Sequence, residues 1–490
     1  MSATTAIAAL LVTLAAFAVV ATTGRTHPTT RDDYLSARSS QRVIPLALSL
    51  YASGMGVWIL FTPPLVAAFT GILGAVAYAL AAASPLVAFG VLGPRVRRSV
   101  PVGITLTDWV RLRHGRPFQA YVAVVAVFYM FMFVTAELTA IGQVLALPAF
   151  GATEAWIGIV ATAAVTVAYT AYGGLPASLR TDRWQGWLIL PLLALGLSAI
   201  LFHVDGPVGA AIDGGLTHVD RAGVDTIVVL VIAVTAANLF HQGYWQRMWA
   251  AADEPALRSA TGIASVLSLL TVLAVGLTGL VAAGISEPSV PFFDLLAGLP
   301  GGVRLLIVVL AVALVASSVD TLESGMAALV AQDVTDKRLS MGAARLVTVA
   351  LIVPACLIAV QGHDILRLFL IADLVAAATV VPVFLGLGQR VTGRSAIAGS
   401  VAGLVAVFVL GVVTRGGIDG GWATLTIADS PALDLGAFVW APAASTIVAL
   451  VWPVLGRRSG ASARPGHRPE SGLVPGGEDD GVGGGGDLRR

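Results

Sequence analysis

Apolar residues recur along this chain in runs of about 20 residues, and this pattern decides its fold class. A helix needs roughly 20 apolar residues to cross the ~30 Å hydrocarbon core of a bilayer. Of the 490 residues, 57% are hydrophobic and only 12% are charged, whereas soluble domains carry about 25% charged residues. A water-soluble fold would lack the polar residues to cover its surface. We therefore predict an all-α integral membrane protein.

Thirteen runs are long enough to be membrane-spanning helices. They are predicted near residues 3–22, 43–64, 71–92, 119–145, 154–173, 184–203, 225–243, 260–284, 302–330, 343–361, 365–388, 396–413 and 434–455. The first run has no basic residue before it and no clear cleavage site. Residues 1–24 are therefore interpreted as a retained leading helix rather than a signal peptide, and residues 25–455 as one membrane-embedded core.

Basic residues divide unevenly between the loops on the two sides of the membrane. If the N-terminus lies outside, all but four of the 29 Lys and Arg residues fall in loops or a tail predicted to be cytoplasmic. The exceptions are Arg221, Arg304, Arg367 and Arg415. Because cytoplasmic loops collect Lys and Arg, we predict an outside N-terminus and a cytoplasmic C-terminus in a plasma or inner membrane.

Residues 456–490 change to Gly, Arg, Pro and acidic residues. Such a segment buries too little apolar surface to offset its ordering entropy, so we predict a disordered cytoplasmic tail. No second folded domain fits in it, which argues against a fused sensor kinase. The net charge of +1 predicts no basic face for nucleic acid, and the single cysteine, Cys356, cannot form an internal disulfide.

Two of the predicted helices contain residues that are unusual in a lipid-spanning segment. In the second helix, Gly54 and Gly56 fall near mid-membrane. A helix weakened there can open and offer backbone carbonyls, or the glycines can simply allow close packing. In the ninth helix, Asp320 and Glu323 share one face. Each carboxylate costs about 2.5–3.5 kcal/mol at a helix centre, so this face is a candidate pathway. The preceding pair Ser317–Ser318 belongs to it, unless both hydroxyls bond back to the helix.

Four features in order resemble the sodium:solute symporter family, which includes transporters for proline, sugars, pantothenate and urea. They are the thirteen-span layout, RDDYLSARS at 31–39, the GGL…TD..Q pattern within 172–185, and the Ser-Ser helix ending in Asp333. The similarity covers residues from about 25 to 455. It implies a LeuT-type fold with one extra leading helix, two inverted repeats (helices 2–6 and 7–11) and two trailing helices.

The first helix of each repeat is broken near the midplane in such a fold. Residues 241–243, His-Gln-Gly, interrupt the apolar run of helix 7 at a position corresponding to the glycines of helix 2. Paired breaks of this kind are the best sequence indication of a binding site in these transporters.

The resemblance also implies a sodium site between helix 2 and helix 9. Its ligands would be the backbone carbonyls of Ala52, Met55 and Leu314 and the hydroxyls of Ser317 and Ser318. Five mostly neutral oxygens suit a hard monovalent ion that must leave on each cycle. The acids Asp182, Asp320 and Glu323 would lie along the path of sodium release. For Asp182 the alternative is a solvated N-cap of helix 6.

The predicted substrate pocket uses aromatic and polar residues at the two breaks. They are Trp58 in helix 2 and His241, Gln242 and Tyr244 in helix 7, because aromatic rings supply an apolar body and a few polar tips orient a solute. Alternatively, Trp58 packs in lipid and His241 is a bonded core histidine. Trp245 and Arg247 are predicted to be anchors near the cytoplasmic edge.

The chain also departs from one branch of the family. The proline transporters have an aspartate where this chain has Gly54, which argues against a proline-type assignment. The segment HQGYWQRMWAA at 241–251 is more similar to the urea and related transporters.

Two further acids, Glu137 and Asp373, fall in the predicted outer half of helices 4 and 11. We predict that they line an extracellular vestibule and attract a cation or a polar substrate. The alternative is structural pairing, for example of Asp373 with Arg367.

Together these features predict Na⁺-coupled symport of a small polar organic solute by alternating access. The alternatives are proton coupling through Asp320, Glu323 or Asp182, and a transporter-like membrane sensor. No phosphate loop, nucleophile elbow or Cys/His cluster indicates an enzyme. The predicted partners are Na⁺, a small-molecule solute and membrane lipid. No organic cofactor and no obligatory protein partner is predicted.

Overall fold

The computed structural model describes residues 1–23, 31–334, 341–388, 391–428 and 433–460, and nearly all of them are helical. The helices are α1 (Ala3–Thr22), α2 (Arg31–Ser36), α3 (Val43–Gly54), α4 (Thr62–Thr70), α5 (Ile72–Ser99), α6 (Leu106–His114), α7 (Arg116–Ala146), α8 (Ala155–His203), α9 (Pro207–Asp213), α10 (Arg221–Asn238), α11 (Gln242–Ala250), α12 (Glu254–Ile285), α13 (Pro291–Leu296), α14 (Gly301–Leu329), α15 (Met341–Ala359), α16 (Ile365–Phe384), α17 (Gly393–Arg415), α18 (Gly417–Leu425) and α19 (Leu435–Gly460).

Ten of the described helices are long and apolar enough to cross a membrane, and the bent pair formed by α3 and residues 57–70 is an eleventh candidate. The 49-residue α8 contains a kink, so it supplies two of the predicted spans. The 19-residue α15 corresponds to another. The described chain therefore accommodates the thirteen predicted spans, and the predicted all-α membrane fold is confirmed.

The second predicted span is broken where its glycines lie. α3 ends at Gly54, Met55 and Gly56 are extended, and a 3₁₀ turn follows at Val57–Leu60 before α4 begins. The second half, residues 57–70, bends by 61° from the direction of α3. Prolines stand in the first turn of α4, where a missing N–H costs no helical hydrogen bond.

The seventh predicted span is also broken. α10 ends at Asn238, and α11 begins only at Gln242, after three residues outside a helix. The helix then continues to Ala250, well beyond the predicted end at 243. The break lies where the apolar run is interrupted, but the second half of the helix is longer and more deeply buried than predicted.

The break between predicted helices 5 and 6 lies at Gly174, inside the run of residues assigned to α8. Gly174 has a φ of 58°, a conformation that favours glycine, and a Cβ there would overlap with Tyr34. The helix resumes directly, so Asp182 lies inside α8 and is fully buried. The alternative interpretation of Asp182 as a solvated N-cap is therefore wrong.

α14 is the central element of the core. Its side chains from Ile307 to Leu329 are almost all buried, because α14 packs against α7, α8, α1, α11 and the broken span. At the C-terminus, α19 extends to Gly460, so the first residues of the predicted tail are helical. The rest of that tail lies outside the described residues.

Candidate functional site

The carboxylate of Asp182 joins four helices on the N-terminal side of the helix 2 break. Its Oδ2 accepts hydrogen bonds from Ser49 Oγ of α3 (2.7 Å) and Arg247 Nη2 of α11 (2.5 Å), and its Oδ1 accepts one from Ser317 Oγ of α14 (2.9 Å). All four side chains are buried. Asp182 thereby holds the first half of the broken span against the helix that carries the predicted sodium hydroxyls.

Ser318 differs from Ser317 in its hydrogen bonding. Its side chain is fully buried, yet Oγ has no hydrogen-bond partner among the described residues. A buried hydroxyl without a partner costs about 1–3 kcal/mol, so a ligand for this oxygen would be stabilising. Ser49 lies three residues before Ala52, one of the predicted carbonyl ligands, and shares Asp182 with Ser317. The predicted hydroxyl and carbonyl ligands thus belong to segments that pack together.

Arg247 was predicted to be an anchor at the cytoplasmic edge, and this prediction is wrong. The guanidinium is fully buried and donates to Ser49 Oγ (2.8 Å), Gly243 O (2.9 Å) and Thr321 Oγ1 (2.9 Å) besides Asp182. Arg247 is therefore not a cytoplasmic loop charge. Trp245 is also fully buried, with Nε1 donating to Leu239 O at 2.8 Å, so it is not an interfacial anchor either.

The two acids of α14, Asp320 and Glu323, are buried without a basic partner in the described chain. Asp320 accepts from Tyr169 (2.7 Å), Ser178 (2.8 Å) and Thr181 (2.9 Å), all in α8. Glu323 Oε1 accepts from Thr166 Oγ1 at 3.0 Å, while Oε2 has no partner among the described residues. Both acids bind α14 to α8 here, and their role in sodium release stays a prediction.

Glu137 lies at the helix 2 break. Its Oε2 accepts the backbone N–H of Val57 at 2.8 Å, at the start of the 3₁₀ turn, and the side chain is fully buried. A Cβ at Gly56 would overlap with this carboxyl group. The structure thus gives Glu137 a capping contact that the sequence did not indicate; attraction of cations from outside stays a prediction.

A cavity lies between the two broken helices, α5, α7 and α16. Of the predicted pocket and vestibule residues, it is lined by Trp58, Tyr244 and Asp373. Lining residues that the sequence did not single out include Tyr78, Tyr129, Phe133, Asn238, Leu366 and Phe369. The cavity volume is about 40 Å³, enough for a few water molecules.

Asp373 is the acidic residue of this cavity. It is 5% exposed and makes no hydrogen bond or ion pair with the residues that the structure describes. The alternative pairing with Arg367 is wrong, because no ion pair joins these two described residues; Arg367 Nε donates instead to Thr426 O at 3.0 Å. Asp373 is thus buried, unpaired and directed toward a cavity.

The remaining two predicted pocket residues do not line the cavity. Gln242 donates through Nε2 to Ile104 O (2.7 Å) and accepts from Leu106 N (3.2 Å), so its amide fastens α11 to the start of α6. Gln242 as a substrate ligand stays a prediction, which these two hydrogen bonds do not support. His241 lies behind the lining, with its ring centroid 4.6 Å from that of Tyr244 and neither nitrogen hydrogen-bonded among the described residues.

Helical spacing could have identified several of the missed residues. Tyr129 and Phe133 precede Glu137 by two turns and one turn, and Phe369 precedes Asp373 by one turn. Residues four apart share a helix face, so Phe133 and Phe369 lie one turn from Glu137 and Asp373 on the same faces. Gly54 has a structural reason as well, because a side chain there would overlap with the Tyr244 hydroxyl.

A multi-pass bundle with two interrupted helices around a cavity lined by aromatic residues defines a LeuT-type membrane transporter. Two solved structures share this fold. A Na⁺-coupled sialic acid symporter has a TM-score of 0.74 at 18% identity, over 92% of this chain and 98% of its own. Mhp1, a nucleobase-cation-symport-1 family transporter, has a TM-score of 0.58 at 13% identity, over 88% of this chain and 96% of its own.

Sequence comparison identifies the family. The chain is 31% identical over 435 residues to the spermidine transporter DUR31 of Candida albicans, covering 85% of this chain and 83% of that protein. It is 28% identical over 263 residues to the osmoregulated proline transporter OpuE of Bacillus subtilis, covering 51% and 53%. No protein-family model matches. The chain belongs to the family of membrane transporters that includes DUR31, and both relatives are transporters rather than enzymes.

Proposed function

We propose that this transporter is a sodium:solute symporter that couples inward Na⁺ movement to uptake of a small polar organic solute by alternating access. The observation that carries the proposal is Ser318 Oγ, buried and without a partner on the helix that packs against the helix 2 break. Ala52, Met55, Leu314, Ser317 and Ser318 are the proposed sodium ligands.

The hydrogen bonding of Ser317 supports this role. Ser317 donates its hydrogen to Asp182, which leaves the oxygen lone pairs free for a cation. Arg247 compensates the charge of Asp182, so the proposed site consists of neutral oxygens. Such a site binds a monovalent ion without holding it permanently.

The driving force is sufficient for accumulation. One charge crossing 100 mV gains ~2.3 kcal/mol, and a tenfold gradient adds ~1.4 kcal/mol. One Na⁺ per cycle could therefore concentrate a neutral solute roughly 500-fold. After Na⁺ and solute bind from outside, the repeats rock, and Na⁺ leaves past Asp182, Asp320 and Glu323.

Uptake into proteoliposomes tests the proposal. Labelled spermidine and proline, the solutes named for the two relatives, are screened with urea, with and without an inward Na⁺ gradient. The proposal expects at least one solute whose uptake needs Na⁺. Solute uptake that proceeds equally without Na⁺ would refute sodium coupling.

A second candidate is proton coupling. It is favoured by the buried carboxyls of Asp320 and Glu323, which have no basic partner in the described chain. Uptake in sodium-free buffer that increases with an inward proton gradient, and is lost in Glu323→Gln, would establish it instead.

A further inference from the structure

We propose that the transported solute carries a protonated amine and that Asp373 binds this ammonium group inside the aromatic cavity. The inference rests on the proposed function, since it takes the cavity between the broken helices as the solute site. It goes further because it assigns a positive charge to the solute and names Asp373 as the residue that binds this charge.

Asp373 differs from the other acids of the core. Asp182 is paired with Arg247, and Asp320 accepts hydrogen bonds from four hydroxyl groups. Glu137 caps a backbone N–H, and Glu323 accepts from a threonine. Asp373, equally buried, has no partner among the described residues. An ionised carboxylate without a partner is expensive in an apolar site, and a cation entering the cavity would offset that cost.

The walls of the cavity suit an organic cation. Trp58 and Phe369 lie 6.2 Å apart between ring centroids, and Phe369 and Phe133 lie 4.6 Å apart. Tyr129 and Tyr244 complete an aromatic lining on the same cavity. Aromatic faces attract ammonium groups within about 6 Å of the ring centroid, and they also pack against the carbon chain of an amine.

The polar atoms of the cavity are consistent with this choice. The Tyr129 hydroxyl is buried and has no partner among the described residues. Asn238 uses Nδ2 to donate to Val234 O at 2.9 Å, so its Oδ1 remains an acceptor. With the Asp373 carboxylate, these groups can accept the hydrogens of an ammonium.

Other classes of ligand fit less well. None of the described residues that line the cavity is basic, so a carboxylate solute would meet only a negative charge. A bare Na⁺ requires several oxygen ligands, whereas most of this lining is carbon. An amine satisfies the carboxylate and the rings together.

Equilibrium binding to the purified full-length protein, with and without Na⁺, tests the inference. Putrescine is compared with 1,4-butanediol, which has the same length but no charge. Asp373→Asn is compared with Asp364→Asn, because Asp364 begins the same helix, and asparagine also serves as an N-cap. Asp373→Glu tests rescue by a restored charge.

The wild-type protein should bind putrescine and not 1,4-butanediol. Asp373→Asn should raise the Kd for putrescine by about 30-fold or more, as expected for loss of one partner of a buried charge pair. Asp364→Asn should leave it unchanged, and Asp373→Glu should restore part of the affinity. Equal binding of the two ligands, absence of putrescine binding, or equal effects of the two asparagine variants would overturn the inference.

The two proposals can fail separately. Putrescine binding that depends on Asp373 but not on Na⁺ would support the amine site and contradict sodium coupling. Na⁺ binding without putrescine binding would contradict the amine site and leave sodium coupling standing. The comparison of putrescine with 1,4-butanediol uses the wild-type protein. It can therefore contradict the inference even if Asp373→Asn folds poorly.

Discussion

Arg247 Nη2 lies 2.5 Å from Asp182 Oδ2, and both side chains are completely buried. This ion pair connects the second half of one broken span to α8. Through Ser49 and Ser317 it also fixes the first half of the other broken span against α14. The α3 and α14 segments of the candidate sodium site are thus connected through one buried charge pair.

Removal of one partner of this pair should destabilise the protein more than removal of both. Arg247→Met leaves the Asp182 charge buried without compensation, at a cost of about 3–5 kcal/mol. Adding Asp182→Asn removes the uncompensated charge and should recover part of the loss. Melting temperatures of the purified single and double variants measure this, and a double variant less stable than Arg247→Met would contradict it.

Gly56→Ala should abolish uptake because its Cβ would overlap with the Glu137 carboxyl group at the helix break. The matched control is Gly262→Ala, which lies in α12 with no atom within 4 Å of the added Cβ. That substitution should be neutral or stabilising, since alanine is favoured over glycine in a helix by about 1 kcal/mol. Uptake by the two variants at matched protein levels provides the comparison, and full activity of Gly56→Ala would show that Glu137 does not lie against the break.

Gln242→Ala should lower stability without changing solute selectivity. The substitution removes two hydrogen bonds to residues 104 and 106, and leaving their buried groups unpaired costs about 1–3 kcal/mol. The melting temperature and the KM for the transported solute separate the two roles. An altered KM at unchanged melting temperature would restore Gln242 as a substrate ligand.

The proposed orientation can be tested with single cysteines in a Cys356→Ser background. Asp205 and Arg95 are both exposed and lie in loops predicted to be outside and inside, respectively. In intact cells, an impermeant thiol reagent should label Asp205→Cys and not Arg95→Cys. The reverse labelling pattern would invert the topology.

The hydropathy pattern predicted the membrane fold and the positions of both helix breaks, because spans and their interruptions are local properties of the sequence. Gly54 and Gly56 in helix 2 and residues 241–243 in helix 7 marked the breaks that the structure contains. The turn between helices 5 and 6 is shorter than predicted, because the break is confined to Gly174 and the Arg and Asp residues after it lie in the following helix.

The sequence could not show which buried charged side chains pair with each other. Asp182 and Arg247 are 65 positions apart in the sequence, and only tertiary packing shows that they neutralise each other. Counting Arg247 as a loop charge was the consequence. The isolation of Asp373 is likewise a tertiary property, because it depends on Arg367 bonding to Thr426 instead.

Binding of ²²Na⁺ to the purified protein tests whether the Ser318 hydroxyl belongs to a sodium site. Ser318→Ala removes the unpartnered hydroxyl of the proposed site, and Ser324→Ala in the same helix is the matched control. We expect saturable Na⁺ binding that is strongly weakened in Ser318→Ala and retained in Ser324→Ala. Wild-type affinity in Ser318→Ala, or no Na⁺ binding to the wild-type protein, would contradict this expectation.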